Sequence, residues 1–409
     1  MSDIAAPGVA APEEPVVTVA PVAEPVTPGE WVRRNLFSSW LNGLLTVVSA
    51  ALLAYLAFRL VRFVFVSADW SVLQANLRRY MIGRFPLEEA WRVWVSLYLV
   101  VGLAGLSRGL LPRARWTVAK VVGLLLLVSA LLGALLYLVE SARVWLLLGV
   151  AVALFSAGLI VGGRLGRRLR RPLVAGWILA FPVVILLLRV FGGVKPELWG
   201  GFLLNVIVAV VAIFASFPLG LLLALGRRST LPAVSAFCVG VIEVVRGAPL
   251  VAWLFFGTFV LPLLLPPALD LPNIIRAMLM FTIFSAAYVA EIVRGGLQGV
   301  PQGQYEAARA LGLHPTRMMA LVILPQALRM TIPAMISHFI SLFKDTSLLA
   351  ALGLFADLLR NARRASADIQ FIGLQAEALL PAALIFWVVA FSMSRWSQRL
   401  ERRVGVGER

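Results

Sequence analysis

Long apolar segments separated by short polar connections are the feature that most constrains how this sequence of 409 residues can fold. A helix needs about 20 mostly apolar residues to cross the roughly 30 Å hydrocarbon core of a bilayer. Such segments lie at 42–66, 93–111, 117–139, 143–163, 173–191, 201–225, 240–264, 274–294, 332–353 and 375–395. A spanning segment must satisfy its backbone hydrogen bonds internally, and barrel strands would be shorter and alternate in polarity. The sequence therefore predicts an all-α polytopic membrane protein with about ten transmembrane helices.

Basic residues predict how these helices are oriented. The formal charge of +17 could suggest nucleic-acid binding, but the arginines lie in short clusters between apolar segments. Clusters at 33–34, 113–120, 164–171, 227–228 and 395–403 all fall on one side of a ten-span chain. The positive-inside rule assigns that side, and with it both termini, to the cytoplasm. The stretch 67–92, which contains Arg78, Arg79 and Arg84, is the exception, because this topology places it outside.

The sequence divides into two transmembrane regions with polar ends. Residues 1–40 are proline-rich and lack a signal-peptide pattern, which predicts a disordered cytoplasmic tail. Residues 41–195 are predicted to form an N-terminal transmembrane extension of about five helices with few polar groups inside its spans. Residues 196–397 form a chemically different transmembrane domain, and 398–409 form a C-terminal cytoplasmic tail.

No catalytic or metal-binding pattern is present in the sequence. Cys238 is the only cysteine, which excludes an internal disulfide framework, and neither His314 nor His338 has a second ligand at metal-binding spacing. The sequence also lacks a GxxxxGK[ST] phosphate loop. We therefore expect no catalytic residue, no cofactor and no ATP hydrolysis in this chain.

Charged pairs within the second region are candidates for a gate or a brace. Glu243 with Arg246, and Glu291 with Arg294, are each spaced to lie on one helix face near the cytoplasmic boundary. They could be ion pairs whose side chains reach the membrane interface. The alternative is a cytoplasmic gate, or a brace for the adjoining loop.

A polar section interrupts the span predicted at 332–353. Lys344 and Asp345 lie about 18 Å along that helix at 1.5 Å per residue, and Thr346 and Ser347 add hydroxyl groups. Charges inside a membrane are costly and usually face protein or water. With Asn205, these residues are the candidates for a pathway that meets a zwitterionic solute. A structural pair that stabilises helix packing is the alternative.

The connection at 299–325 is the most informative stretch. Residues 304–311 are mostly good helix formers, and Gly312 suits the left-handed position at a helix end. A second helix is predicted to start at His314-Pro315-Thr316 and to end at Leu324-Pro325. The connection would then consist of two short helices at a right-angle turn. Small alanines would let this surface enter a groove on another protein. An amphipathic connector lying on the membrane is the alternative.

This connection resembles the EAA loop of ABC-importer permeases. Glu306-Ala307-Ala308, three residues, Gly312, nine residues, Val322, one residue and Leu324-Pro325 match its pattern, with Val322 where Ile is usual. Stretches similar to the polar amino-acid branch of these permeases lie at 245–250, 287–296, 302–305, 323–329 and 344–348. The resemblance implies a five-helix, MetI-like permease core at 196–397. The additional spans make the chain similar to the larger permease subunit of general L-amino-acid importers.

The resemblance implies function and partners. The chain would be the permease subunit of an importer of polar or general L-amino acids in the bacterial inner membrane. A separate ATPase, which binds ATP and Mg, would dock on Glu306, Ala307, Ala308 and Gly312, with Leu324 and Pro325 at the loop's exit. A second permease subunit and a soluble periplasmic amino-acid-binding protein would complete the assembly. The alternatives are an ion-gradient-driven transporter, a non-transporting membrane scaffold, and a permease of this family for another small polar solute.

Overall fold

The computed structural model describes residues 27–110, 142–190, 192–266, 269 and 271–404, and these are largely helical. The candidate span 117–139, the first 26 residues and residues 405–409 lie outside this description. Residues up to Ala68 belong to one compact unit and residues from Asp69 onward to a second.

The described part of the first unit is a short helix followed by one long apolar helix. Helix α1 (Pro28–Leu36) begins with a reciprocal cap between Thr27 and Glu30, so the prediction of disorder is wrong for residues 28–36. Helix α2 (Trp40–Arg62) continues through a π-helical turn at Phe63–Ser67. Its side chains are not buried within the unit, as expected of a helix that faces lipid.

The second unit contains the remaining described helices. They are α3 (Ser71–Ile82), α4 (Ala90–Gly109), α5 (Ala142–Leu165), α6 (Arg170–Arg189), α7 (Gly201–Arg227), α8 (Pro232–Gly247), α9 (Leu250–Phe255), α10 (Leu261–Leu264), α11 (Asn273–Gly299), α12 (Gln302–Ala310), α13 (Pro315–Met318), α14 (Leu324–Asp345), α15 (Leu358–Ser366) and α16 (Gln375–Val404). Within the described residues, eight segments are long and apolar enough to cross a membrane, and a pair of shorter helices joined by a sharp bend would make nine if the pair counts as one broken span. The predicted all-α, multi-span fold is confirmed.

Two predicted spans have different limits in the structure. The single span at 240–264 is wrong, because α8 ends at Gly247 and the chain bends by 101° before α9 and α10. Pro249 has no N–H to donate and restricts Ala248 to extended backbone, which ends the helix there. Helix α16 runs through Val404, so the predicted cytoplasmic tail at 398–409 is helical at its start.

The span predicted at 332–353 begins much earlier. Helix α13 continues through a π-helical turn at Met319–Ile323 into α14, and a 3-10 helix follows at Thr346–Leu352. The prediction that Leu324-Pro325 ends a second short helix is therefore wrong. Pro325 lies in the first turn of α14, directly after the π-helical turn. At this position the missing proline N–H breaks fewer backbone hydrogen bonds than it would in the middle of a helix.

Small residues let the central helices pack closely. A Cβ atom added at Gly220 of α7 would lie 2.6 Å from the carbonyl oxygen of Ala286 in α11. A Cβ atom added at Gly105 or Gly109 of α4 would lie 2.3 Å from a carbonyl oxygen of α5. Membrane helices gain little from burying apolar surface, so such close van der Waals packing stabilises their association.

Candidate functional site

Helix α12 and the turn after it form an exposed loop beside the ends of α7 and α11. Gly312 has a φ of +70°, which confirms the predicted left-handed position, and a Cβ atom added there would meet no other atom within 4 Å. Glu306, Ala307 and Gly312 are exposed. Ala308 is buried with only 2% exposure, which contradicts its predicted place on a thin docking face. The exposed face of this loop, which we call the coupling surface, consists of Glu306, Ala307, Arg309, Ala310, Leu311 and Gly312.

Leu311 is the most exposed large apolar side chain of the coupling surface, and sequence reasoning missed it. Its side chain is 79% exposed. At the loop's exit, Leu324 packs against the neighbouring apolar cluster and Pro325 is exposed.

Tyr305 attaches this loop to the helices beneath it. Its hydroxyl donates a hydrogen bond to the carbonyl oxygen of Leu297 in α11 at 3.2 Å. Arg228, at the end of α7, donates to the same hydroxyl at 3.3 Å. The loop is therefore attached by hydrogen bonds to α11 and to the residue that follows α7.

The four predicted gate or brace residues form one network rather than two pairs. Glu291 accepts hydrogen bonds from Arg294 at 3.0 Å and from Arg227 at 2.6 Å, and Arg246 lies 3.5 Å away. Glu243 contacts Arg227 at 3.5 Å, so its predicted pairing with Arg246 is wrong. Arg227, read from the sequence only as a topology signal, joins the network because α7 ends between α8 and α11. The network connects three helices beside the coupling surface.

Two of the predicted pathway residues, Asn205 of α7 and Thr346 of the 3-10 helix after α14, meet at the other end of α7. Asn205 is fully buried and donates to the carbonyl and hydroxyl oxygens of Thr346 at 3.2 and 3.1 Å. The side-chain carbonyl oxygen of Asn205 accepts a hydrogen bond from the backbone N–H of Leu358 at 3.1 Å. Asn205 and Thr346, both with no exposed surface, therefore join three chain segments, and their polar groups are occupied within the protein.

Lys344 and Asp345, which the sequence predicted about 18 Å along a span that starts at residue 332, lie at the C-terminal end of α14, near the level of Asn205. Asp345 borders a cavity of about 390 Å³ with Phe284, Tyr288, Ser337, His338 and Ser341. Lys344 borders a neighbouring cavity of about 650 Å³, which shares Ser337 and Ser341 with the first. The two adjacent charges thus point to different sides of a common hydroxyl-lined wall. Ser347 is half-buried in the 3-10 helix that follows.

His338 belongs to the wall of the smaller cavity. Its Nε2 atom lies 3.0 Å from the hydroxyl of Ser285, which also contacts the hydroxyl of Ser216 at 2.9 Å. The imidazole stacks on the ring of Tyr288 with 5.5 Å between centroids. Within the described residues, no group of three or more His, Cys, Asp or Glu side chains is arranged to hold a metal ion. The wall offers hydrogen bonds, one carboxylate and aromatic rings to a small polar solute.

Charged residues within or beside membrane spans often mark the pathway of a polar solute, which is typical of a membrane transport protein. Comparison with known proteins gives the family. A family model described as "Binding-protein-dependent transport system inner membrane component" matches residues 216–406. The chain is 37% identical over 399 residues to the inner membrane amino-acid ABC transporter permease protein YhdY of Escherichia coli K12, covering 92% of this chain and 93% of that protein. The chain therefore belongs to the family of ABC transporter permeases.

Two further relatives show how the similarity is distributed. The glutamate/glutamine/aspartate/asparagine transport system permease protein BztC of Rhodobacter capsulatus is 35% identical over 431 residues, with 94% of this chain and 95% of that protein covered. The probable glutamine ABC transporter permease protein GlnP of Bacillus subtilis is 37% identical, but the match covers 50% of this chain and 93% of that protein. Long relatives thus share the N-terminal transmembrane region, and the resemblance predicted from the loop motif is confirmed.

Proposed function

We propose that this chain is the membrane-spanning permease subunit of an ATP-driven importer of amino acids, and that a separate subunit hydrolyses the ATP. The coupling surface is the observation that carries this proposal. It is exposed, it presents the side chain of Leu311 to solvent, and Tyr305 connects it to α11 and to the end of α7. An exposed apolar side chain on a firmly attached loop is well suited to dock into a cleft of another protein.

The proposed solute pathway runs along the wall between the two cavities. Asp345 could receive the ammonium group of an amino acid, and Lys344 could receive a carboxylate, while Ser337 and Ser341 donate hydrogen bonds to either. The names of the long relatives, which are amino-acid permeases, support this solute class. The polar contacts of Asn205 and Thr346 favour a structural role for these two former pathway candidates.

The proposed assembly contains partners on both sides of the membrane. The ATPase subunits, which bind ATP and Mg, would dock on the coupling surface in the cytoplasm. A second permease subunit would cover the open side of the cavities, and a soluble amino-acid-binding protein would deliver the solute outside. Both termini would then lie in the cytoplasm, in agreement with the arginine clusters of the sequence.

The network around Glu291 is proposed to brace the cytoplasmic ends of three helices. Its contacts cross from α7 to α8 and α11, immediately beside the tethered loop. A brace would keep these ends moving together when the ATPase pulls on the loop. As a gate, the same contacts would instead break in one state of the transport cycle.

The source of energy tests the proposal. Cells or proteoliposomes with the complete complex are loaded with ATP, and amino-acid uptake is measured with the ion gradients collapsed by ionophores. We expect uptake to continue under this condition and to stop when ATP is removed while the gradients are kept. Uptake that follows the gradients would favour a secondary transporter and contradict the proposal. A competition panel of unlabelled amino acids in the same assay identifies the solutes.

A further inference from the structure

Six arginines gather at the end of the second unit that lies opposite the coupling surface. Helix α7 separates the two ends by about 40 Å at 1.5 Å per residue. Arg78, Arg79 and Arg84 come from α3 and the turn after it, and Arg360, Arg363 and Arg364 come from α15. The two helices pack together, because the side-chain amide of Asn361 donates to the carbonyl oxygen of Arg79 at 2.8 Å.

A tight backbone crossing holds these arginines over the beginning of α7. The N–H of Gly201 donates to the carbonyl oxygen of Ala356 at 2.6 Å. A Cβ atom added at Gly200 would lie 2.9 Å from the Cα of Gly83 and 3.4 Å from the backbone nitrogen of Arg84. The segments around Gly83, Gly200 and Ala356 therefore meet at the N-terminal end of α7, which is a membrane span. Arg84 directly follows the first of these segments, and α15 begins just after the third.

The arginines face outward and lack acidic partners. All but the half-buried Arg360 are exposed, and among the described residues no carboxylate lies within 4.0 Å of Arg84, Arg363 or Arg364. The nearby Asp357 is fully buried, where it caps α15 by accepting from the N–H of Leu359. Burial, and then the positive charges of Arg360 and Arg84, lower the pKa of Arg364. The positive charges on this surface therefore repel one another, and an anionic partner would stabilise them.

Membrane topology does not explain this positive charge. Arginines near spans usually mark the cytoplasmic side. These six lie on the opposite side, because the coupling surface is at the other end of α7. They include Arg78, Arg79 and Arg84, which stood out in the sequence as an exception to the positive-inside pattern.

We propose that this outer arginine surface is the docking site for an acidic face of the soluble protein that delivers the solute, an inference that rests on the proposed function. A macromolecular partner fits better than a single anion, because the charges are spread over two helices. A protein fits better than lipid headgroups, because the crossing of Gly83, Gly200 and Ala356 places the surface over the end of a span rather than beside it. Charges at such a surface mainly accelerate association and make it sensitive to salt.

A titration of the delivering protein tests this inference. The complete complex is reconstituted, and uptake is measured against the concentration of the soluble binding protein that supports uptake by the wild type. In the triple variant Arg84→Gln, Arg363→Gln, Arg364→Gln, we expect the half-saturating concentration to rise about tenfold and its salt dependence to weaken. Maximal uptake at saturation should stay near the wild-type value. The matched control replaces three exposed arginines of the opposite side, Arg164, Arg168 and Arg171, with Gln and should leave the half-saturating concentration unchanged.

The alternative outcomes are distinct. An unchanged half-saturating concentration in the triple variant, with normal wild-type uptake, would overturn the docking site and leave the proposed function intact. A defect that appears only in vesicles containing phosphatidylglycerol and does not respond to the soluble protein would assign the surface to lipid and also overturn it. Absence of ATP-dependent uptake by the wild-type complex would contradict the proposed function instead.

Discussion

Replacing Glu291 with glutamine is expected to weaken the contact between three helices while keeping the side chain's size. The carboxylate is 14% exposed and holds Arg227 at 2.6 Å and Arg294 at 2.8 Å. A hydrogen bond to a charged group is worth about 1.5–3 kcal/mol. The two arginines are about a third exposed, at 27% and 34%, so solvent screens part of this energy. We estimate a loss of about 2–4 kcal/mol, because the three arginines would also repel one another.

Glu243→Gln is the matched control for this prediction. Its carboxylate is 57% exposed and makes one contact of 3.5 Å, so the expected loss is below about 0.5 kcal/mol. Thermal unfolding of both purified variants in detergent, followed by tryptophan fluorescence, compares them directly. We expect a lower Tm for Glu291→Gln and a value close to wild type for Glu243→Gln. Equal Tm shifts in the two variants would refute the brace. A normal Tm with lost transport in Glu291→Gln would also refute the brace and would favour a gate.

Three further variants test the loop, the pathway and the outer end. Gly312→Val is expected to reduce uptake while the chain still folds, because a β-branched residue at a φ of +70° costs about 1–3 kcal/mol and distorts the coupling surface; a normal uptake rate would contradict this. Asp345→Asn should lower the maximal uptake rate several-fold while the ATPase subunit still copurifies, and failure of the complex to assemble would instead indicate a structural role. Burial raises the pKa of Asp357 to about 6, so the folded protein binds this proton more tightly than the unfolded chain, and stability should decrease as the pH rises from about 4 to about 6. Asp357→Asn should flatten this part of a plot of Tm against pH, and an unchanged slope would contradict the assignment.

The membrane-spanning architecture could be predicted because it depends on local hydropathy. Segments such as 201–225 and 274–294 agree closely with Gly201–Arg227 and Asn273–Gly299, since about 20 apolar residues suffice to identify a span. The left-handed Gly312 was predictable for the same reason, because a helix end is a local event. The break at Pro249 had a local signal too, but the apolar residues on both sides concealed it.

The parts of the site that depend on distant contacts could not be predicted. Arg227 joins Glu291 only because α7 and α11 end at the same level, which no spacing in the sequence reveals. Asn205 has the polarity of a pathway residue, yet its hydrogen bonds are made with Thr346 and Leu358, far along the chain. The burial of Ala308 likewise follows from how Tyr305 orients α12.

The docking of an ATPase subunit on the coupling surface is the central claim, and Leu311→Ser tests it most directly. Burying a leucine side chain that is 79% exposed contributes up to about 2 kcal/mol, which corresponds to roughly 30-fold in affinity. Leu321→Ser is the control, because Leu321 is 68% exposed but lies in the π-helical turn Met319–Ile323, outside the coupling surface. Binding of the purified ATPase to each variant in detergent would be measured by titration. We predict a loss of roughly 30-fold for Leu311→Ser and wild-type affinity for Leu321→Ser. Equal affinities for both variants would contradict the account.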